Sequence, residues 1–349
     1  MKLEKESPEK KALVILTTHF GSNFSGGSLA TVEIFSRLEK QFSSIAVIGT
    51  LLGEHPFSDL TFHQYRSRRQ AIDYIKTYAQ AETVFYGDFY NAYYFILAGR
   101  PFYFTYHDNW PELRSLSLGY RAQSVLYWNI YKWIFKKATQ VITVSEFKKK
   151  AIETYSNRVH LIRNGFKQGE VEAFSPANTN QRILMIGNID SRKYRYALNL
   201  FDEIDQTKQP DLHIDIYGHA RESKLAEKLS KYPFVELKGF RADIPFHKYS
   251  LLLHTSAMEN LPLVFCEAIY HNLPVLAFNV GGAEEVIDSD NGRLIKPGDT
   301  RAMLNVLADM IKGNEKFSPD RDSVLKHYDW DLAAAQYWSV IENQIKEEE

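Results

Sequence analysis

The most informative stretch of the sequence, residues 250–299, reads SLLLHTSAMENLPLVFCEAIYHNLPVLAFNVGGAEEVIDSDNGRLIKPGD. It contains three short apolar runs, SLLLHTS, PVLAFNV and GRLIKP, and a helix is predicted to start at Pro262 between the first two. Strands that are buried on both faces have continuous apolar runs of this kind, as in parallel sheets. The β–α–β order therefore predicts a parallel sheet that is covered by helices.

The same alternation extends through the rest of the chain. Three further apolar runs lie upstream in the second half, at 182–188, 213–219 and 235–240. The first half has six: 12–18, 44–50, 83–88, 102–108, 140–146 and 159–165. Segments with helical spacing, such as 29–38 and 67–78, separate them. Each half is thus predicted to be a doubly wound α/β domain.

The stretch between the two halves reads KQGEVEAFSPANTNQ and has the polar, Pro- and Asn-containing composition of a linker. The predicted organisation is an N-terminal Rossmann-like domain (1–166), a linker (167–181), a C-terminal Rossmann-like domain (182–327) and a closing helix (328–349) that returns towards the first domain. Ligands of open parallel sheets bind at the carboxyl ends of the strands. Two such sheets that face each other predict a ligand cleft between the domains.

Composition excludes several classes of protein. The 349 residues include 42 Lys and Arg and 43 Asp and Glu, so the net charge of −1 provides no general attraction to nucleic acid. The single cysteine, Cys266, forms neither an internal disulfide nor a Cys-rich zinc site. The N-terminus, MKLEKESPEKK, lacks a signal-peptide core, and no run approaches the roughly 18 apolar residues of a membrane span. We expect a cytoplasmic protein.

Several residues near predicted strand ends are candidates for ligand binding. Glu259 follows a strand and Glu267 lies eight residues later in the predicted helix, and paired carboxylates accept hydroxyl groups well, although two solvated glutamates would have the same spacing. Gly26 and Gly27 follow the first strand, where glycine allows close approach of a phosphate or simply forms a turn. His107 ends a strand and either faces the cleft or helps to cap the next segment.

The motifs of this chain resemble those of the family 4 (GT4) retaining glycosyltransferases, which have the GT-B fold. The similarity rests on the Glu-x7-Glu block in MENLPLVFCEA, the Pro-Val strand, the Gly-Gly turn and the Pro-Gly-Asp ending of 250–299. It extends to Ser25-Gly26-Gly27, to Ile162–Gly165 and to Tyr328–Asp331. Residues 50–135 match least, which is expected if they hold the acceptor. The resemblance implies two Rossmann-like domains that face each other across a cleft.

The resemblance also implies a function and a set of roles. Such an enzyme moves a sugar from a UDP- or GDP-sugar, with retention, to a glycan or lipid-linked acceptor in cell-surface polysaccharide or glycoconjugate synthesis. Glu267 would hold the ribose, Glu259 and His107 the sugar, and Lys193 with Arg192 or Arg195 the diphosphate. Gly26 and Gly27 would close on the phosphate, and the base would lie near Gly239 and Phe240. The other donor-site residues are Gly187, Asn188, Asn260, Leu261, Pro262, Leu263 and Val264.

One position departs from the family pattern. Asn188 stands where the family has an arginine, although Gly187 and Lys193 fit. A helix beginning near Lys193 is expected to supply part of the missing positive charge through its N–H groups. The departure leaves open a non-catalytic subunit that binds a protein or glycan. A sugar-nucleotide epimerase of the same fold is the other alternative, although the acid/base carboxylates that it needs are not found.

The resemblance also implies no cofactor and no essential metal, because in such a site cationic side chains and helix N-termini would neutralise the diphosphate. The two Asp-x-Asp matches, 288–290 and 329–331, are interpreted as a turn and a helix cap. The aromatic segment 126–137, LYWNIYKWIFKK, predicts a helix. It either packs on the sheet, which we favour, or makes a weak peripheral contact with the inner face of a membrane.

Overall fold

The computed structural model describes residues 10–171, 182–207 and 212–348. Its strands are β1 (Ala12–Leu16), β2 (His19–Phe20), β3 (Ile45–Gly49), β4 (Leu51–Leu52), β5 (Thr61–Gln64), β6 (Thr83–Gly87), β7 (Tyr103–Tyr106), β8 (Gln140–Thr143), β9 (Val159–Leu161), β10 (Arg182–Ile186), β11 (His213–Tyr217), β12 (Val235–Gly239), β13 (Leu251–His254), β14 (Val275–Phe278) and β15 (Gly292–Ile295). Its α-helices are α1 (Gly26–Arg37), α2 (Arg68–Thr77), α3 (Tyr93–Ala98), α4 (Leu118–Lys137), α5 (Glu146–Ile152), α6 (Ser191–Tyr194), α7 (Ala197–Thr207), α8 (Ser223–Leu229), α9 (Leu263–Tyr270), α10 (Thr300–Ile311), α11 (Arg321–His327) and α12 (Trp330–Glu348).

The strands form two large sheets and one small one. The N-terminal sheet has the order β5-β3-β1-β6-β7-β8-β9, and the C-terminal sheet has the order β12-β11-β10-β13-β14-β15. Every pairing in both is parallel. The strand order reverses at β1 and at β10, which are the switch points where open sheets bind ligands. The predicted α/β class with two doubly wound parallel sheets is therefore confirmed.

The sequence prediction missed three strands. β5 is a partly exposed edge strand, and β2 pairs with the exposed β4 in the two-stranded sheet. None of the three has the continuous apolar run on which the prediction relied. The central strand β1 does have such a run, and Leu13–Leu16 are fully buried.

The last helix, α12, packs against the N-terminal sheet rather than the C-terminal one. Tyr337 and Ile341 are buried in the N-terminal core, and the hydroxyl of Tyr337 lies 3.0 Å from that of Thr105. Asp331 pairs with Arg37 of α1 at 2.6 Å. The chain thus crosses back at its end, which keeps the two sheets close to each other. Residues 172–181 of the predicted linker lie outside the described residues.

The aromatic helix α4 starts at Leu118, eight residues before the predicted segment. Tyr131, Ile134 and Phe135 are fully buried against the sheet, which explains its apolar composition on that side. Its other side leaves Leu126 and Trp133 exposed. No described helix is long and apolar enough to cross a bilayer.

Candidate active site

A cavity of about 490 Å³ lies between the carboxyl ends of the two sheets. The sequence-predicted residues on its walls are Gly26, Gly27, His107, Gly187, Asn188, Arg192, Lys193, Phe240, Glu259, Asn260, Leu261, Pro262, Leu263 and Val264. Three other predicted residues, Arg195, Gly239 and Glu267, are not on these walls. The structure therefore brings most of the candidate residues, from both halves of the chain, to one cleft.

Glu259 is a buried acid of this cleft with two basic side chains close to its carboxylate. The Nζ atom of Lys193 donates to its Oε1 atom at 2.7 Å, and the Nε2 atom of His254 lies 3.2 Å from the same oxygen. Burial raises the pKa of Glu259, but Lys193, His254 and Arg192 lower it more, to about 2. Burial and Lys193 lower the pKa of His254 to about 4. At neutral pH the site thus contains an ionised carboxylate, an ammonium group and an uncharged imidazole.

Lys193 reaches Glu259 because Gly187 leaves room for its side chain. A Cβ atom at Gly187, where φ is +146°, would lie 2.9 Å from the Cδ atom of Lys193. The neighbouring Asn188 faces the end of β11, since its Oδ1 atom accepts a hydrogen bond from the backbone N–H of His219 at 3.3 Å. Asn188, which stands where the family pattern has an arginine, therefore both lines the cleft and bonds to the loop after β11.

The helix whose N-terminus lies at the cleft is α9, and not the helix near Lys193 that the sequence predicted. The predicted helix near Lys193 is only the single turn α6, and two carboxylates already occupy its N–H groups: Glu222 accepts from Ser191 at 2.8 Å and Asp190 accepts from Lys193 at 3.0 Å. The helix α9 instead begins on the cleft wall, after Pro262, whose side chain has no hydrogen-bonding group. The N–H group of Phe265 donates to the carbonyl oxygen of Pro262 at 3.0 Å. The N–H groups of Leu263 and Val264, two residues on the cleft wall, are thus the ones left to bind a ligand or water, and this end of the helix attracts negative charge.

The two arginines beside Lys193 have different positions. Arg192 lines the cleft, and its guanidinium lies 3.5 Å from Asp190. Arg195 points away from the cleft wall and donates to the carbonyl oxygen of Ser115, in the N-terminal domain, at 3.2 Å. Of the two candidates for the missing cation, the structure brings only Arg192 to the cleft.

Glu267 lies one turn inside α9. Burial raises its pKa to about 7, although Lys167 and Lys193 partly oppose this. Its carboxyl group therefore changes charge close to neutral pH. The predicted contact with a ribose would require a ligand that reaches past the residues of the cleft wall.

The N-terminal side of the cleft contains His107, with Gly27 packed against it. A Cβ atom at Gly27 would lie 3.1 Å from the Cβ atom of His107, so the glycine permits this approach. The Nε2 atom of His107 is buried and has no hydrogen-bond partner among the described residues, and burial lowers its pKa to about 4. An uncharged imidazole with an unused nitrogen on the wall is suited to a hydrogen bond with a ligand hydroxyl.

Two aspartates, Asp88 and Asp108, follow the ends of β6 and β7 in the N-terminal domain. Asp88 is buried and accepts a hydrogen bond from Thr31 at 2.7 Å, and burial raises its pKa to about 7. Asp108 lines the cleft and accepts from the hydroxyl of Tyr131, and burial raises its pKa as well. Sequence reasoning gave neither aspartate a role, because each appears only as the last residue of an apolar run, 83–88 and 102–108.

The predicted base-binding region contains an aromatic stack. Phe240 is 63% exposed, and its ring lies parallel to that of His219, with centroids 4.7 Å apart. Gly239 has a φ of +70°, which turns the chain at this point. Arg241 also lines the cleft and was missed by sequence reasoning, although it directly follows the predicted Phe240. An exposed ring at a cleft edge is a suitable surface for a planar base.

Hydrogen bonds across the cleft hold the two domains together. Ser145 donates to the Oδ1 atom of Asn260 at 2.6 Å. The carboxylate of Glu285 accepts from the backbone N–H groups of Glu146 and Phe147 at 2.9 and 3.0 Å, and thereby caps α5 of the other domain. Arg163 approaches the same carboxylate at 3.3 Å. Asn260 directly follows Glu259, so the residue that contacts the other domain is the chain neighbour of the candidate catalytic carboxylate.

The two Asp-x-Asp segments have local structural roles. Asp288 accepts from the backbone N–H groups of Asp290 and Asn291, which closes a turn. Asp329 accepts from the N–H groups of Asp331 and Leu332 at the start of α12. Within the described ranges, no three acidic, His or Cys side chains are grouped as metal ligands would be.

Comparison with known proteins places this geometry in a family. The family model described as Glycosyltransferase Family 4 matches residues 31–167, and the model described as Glycosyl transferases group 1 matches residues 180–312. An uncharacterized glycosyltransferase of Haemophilus influenzae is 29% identical over 147 residues, which cover 40% of this chain and 41% of that protein. The lipopolysaccharide 1,6-galactosyltransferase of Escherichia coli is 22% identical over 213 residues, which cover 54% and 59%. The chain thus spans about half the length of these curated relatives.

Among solved structures, Anabaena Alr3699/HepE in complex with UDP-glucose has a TM-score of 0.74 with 19% identity, covering 95% of this chain and all of that one. This likeness extends over both domains and establishes a shared fold. The two family models cover both halves of the chain on either side of the predicted linker. The chain therefore belongs to the GT4-type glycosyltransferases of the GT-B fold.

Proposed function

We propose that this protein is a retaining glycosyltransferase that uses a nucleotide-diphosphate sugar as donor. The observation that supports the proposal most directly is the ionised Glu259, held between Lys193 and His254 beside the open N-terminus of α9. A diphosphate on that N-terminus would be neutralised by helix N–H groups, Lys193 and Arg192. Glu259 and His107 would then hold the hydroxyl groups of the transferred sugar.

We propose a uridine diphosphate sugar as the donor, with the base near Phe240 and the ribose near Glu267. The Anabaena protein of the same fold was solved with UDP-glucose, which makes UDP the first nucleotide to test and GDP the second. The acceptor, a glycan or a lipid-linked sugar, would enter from the N-terminal domain. We further propose that the enzyme acts in cell-surface polysaccharide or glycoconjugate synthesis, on the cytoplasmic side of the membrane. The reaction would need no metal cofactor.

The reaction joins the anomeric carbon of the sugar to the oxygen of an acceptor hydroxyl and breaks the bond of that carbon to the diphosphate oxygen, and the hydroxyl proton leaves with the diphosphate. Positive charge develops at the anomeric carbon and negative charge on the leaving diphosphate. The carboxylate of Glu259 lies 2.7 Å from the Nζ atom of Lys193, so the two groups that would stabilise these opposite charges are already side by side. Such preorganised charges are usually the largest contribution of an enzyme site.

A donor panel tests the proposal. UDP-glucose, UDP-galactose, UDP-N-acetylglucosamine and GDP-mannose are incubated with the protein, and nucleotide release is measured with and without simple glycan acceptors. Proton NMR then gives the anomeric configuration of the product and also detects an epimerised donor, which would identify the epimerase alternative. We expect release from one UDP-sugar with retained configuration. Absence of binding of any donor would favour the non-catalytic subunit.

A further inference from the structure

The two sides of the interdomain cleft differ in charge. The lysine and the arginines that line it, Arg192, Lys193 and Arg241, all belong to the C-terminal domain. We call the side that the N-terminal domain contributes the N-terminal wall. Among the described residues of this wall, only His107 and Asp108 have basic or acidic side chains, and burial keeps His107 uncharged at neutral pH. A diphosphate therefore suits one side of the cleft, and a group without negative charge suits the other.

The polar groups of the N-terminal wall are concentrated after strand β7, where His107, Asp108 and Asn109 follow one another on the cavity lining. The Oδ1 atom of Asn109, like the Nε2 atom of His107, is buried and has no hydrogen-bond partner in the part of the chain that the structure describes. Buried polar atoms in native proteins nearly always have a partner. The donor proposed above uses His107 but not Asn109, so the amide oxygen of Asn109 calls for a second ligand.

The carboxyl group of Asp108 is held from behind the wall. Its Oδ2 atom accepts a hydrogen bond from the hydroxyl of the fully buried Tyr131. Burial raises the pKa of Asp108, and the Tyr131 bond and the charges of Lys148 and Arg192 oppose this rise. A carboxylate accepts hydrogen bonds at both oxygens, so Tyr131 orients the group and leaves its Oδ1 atom to a ligand hydroxyl.

Two aromatic rings, those of Phe24 and Phe89, complete the N-terminal wall. Glycines make room for both, since a Cβ atom at Gly53 would lie 2.6 Å from the Cε2 atom of Phe24, and one at Gly27 would lie 3.3 Å from the Cζ atom of Phe89. A sugar ring has an apolar C–H face that packs on such rings and a rim of hydroxyl groups that donate to carboxylate and amide oxygens. The N-terminal wall offers both kinds of surface.

We propose that Asp108 and Asn109 bind hydroxyl groups of the acceptor and that they select an acceptor whose reacting sugar has no negative charge. A carboxylate or phosphate on that sugar would approach Asp108 without a cation of the same wall to neutralise it, and like charges brought together in this way are strongly unfavourable. The donor diphosphate would already use the cations of the other wall. Any charged group of the acceptor therefore lies at least one sugar away from the reacting hydroxyl. This inference rests on the proposed function and adds the charge class of the acceptor to it.

The test uses pairs of acceptors that differ only in charge. The methyl glycosides of glucose, galactose and mannose are each compared with the methyl glycoside of the corresponding uronic acid, in which a carboxylate replaces the CH₂OH group. Transfer is measured as kcat/KM for each acceptor with the donor found in the panel above. Binding is measured by saturation-transfer NMR with UDP present, which needs no turnover. We expect the wild-type protein to prefer the neutral member of a pair at least about tenfold in both measurements.

Two substitutions on the N-terminal wall should change this preference in opposite directions. Asp108→Asn removes the charge and keeps the shape of the side chain, so the preference for the neutral glycoside should shrink at least about fivefold, whereas Asn109→Asp should increase it. The matched control is Asp73→Asn, which removes the same charge from an exposed position on α2 of the same domain and should leave the preference unchanged. A preference within one pair cancels any loss of activity or fold that the two acceptors share, and melting temperatures check the fold of each variant.

The outcomes separate this inference from the proposed function. Equal use of neutral and acidic glycosides, or a preference that Asp108→Asn leaves unchanged, would overturn the inference while transfer itself upholds the proposed function. Binding of neutral glycosides that Asp108→Asn weakens, without transfer from any donor, would support the acceptor site and contradict the proposed function. A wild-type protein that binds none of the neutral glycosides would overturn the inference as well.

Discussion

Replacing Glu259 with glutamine is the sharpest test of the proposed active site. Glutamine keeps the shape of the side chain but removes the charge that Lys193 contacts at 2.7 Å and His254 at 3.2 Å. Because Glu259 would stabilise charge on the sugar, we expect turnover to fall by about 10²–10³-fold, the usual loss for one preorganised group. UDP affinity should stay the same or increase, since Lys193 is no longer neutralised by the carboxylate.

The same substitution has a predictable effect on stability. Burial raises the pKa of Glu259 and the Lys193 ammonium more than offsets this, giving a folded-state pKa of about 2 against an ordinary value of 4.5. That difference corresponds to about 3 kcal/mol of stability. Because the folded pKa is the lower one, this contribution is present above pH 4.5 and is lost as the pH falls towards 2. Glu259→Gln should therefore lower the free energy of unfolding at pH 7 and reduce its decline on acidification.

Turnover is followed by UDP release, affinity by calorimetry with UDP, and stability by urea unfolding at pH 7 and pH 3. The matched control is Glu284→Gln, an exposed glutamate after the Gly-Gly turn, which should leave all three quantities close to wild type. Turnover within threefold of wild type would refute the role of Glu259. A parallel tenfold loss of UDP affinity would place the carboxylate at the nucleotide instead of the sugar.

Four further predictions concern other parts of the site. Lys193→Ala should lower turnover by at least about 10²-fold and Arg192→Ala by less, whereas Arg195→Ala should have little effect because its guanidinium bonds Ser115; a large loss for Arg195 would contradict this. UDP affinity should rise from pH 6 to pH 8 as Glu267, with a pKa of about 7, becomes a carboxylate that accepts both ribose hydroxyls; the rise should be absent in Glu267→Gln. Transfer should persist in excess EDTA, and a loss rescued by Mn²⁺ would show that a metal is required. Glu285→Gln should reduce the free energy of unfolding by about 1.5–3 kcal/mol, because it removes a charged acceptor from two N–H groups of α5, and unchanged urea unfolding would contradict the capping role.

Much of this molecule was predictable because the relevant signals are local. Each of the twelve apolar runs of the sequence contains a strand, from β1 to β15, since burial on both faces of a parallel sheet requires continuous apolar side chains. The positions of Glu259 and Glu267 were also predictable from local signals, since the first follows strand β13 and the second lies in the next helix, α9. The edge strand β5 was missed because a strand that is partly exposed needs no such run.

The sequence alone therefore determined the two parallel sheets and many of the side chains that surround the cleft, whereas the order of the strands, and with it the switch points at β1 and β10, came from the structure. Only the tertiary structure decided how those side chains are paired. Lys193 meets Glu259 across 66 residues of chain, and Glu285 caps a helix 139 residues away. It also decided that α9, and not the capped α6, presents its N-terminus to the cleft. These pairings depend on how elements that are distant in the chain pack against each other. The same carboxylate can cap a helix in one arrangement of the elements and bind a ligand in another, so its sequence position does not reveal its partner.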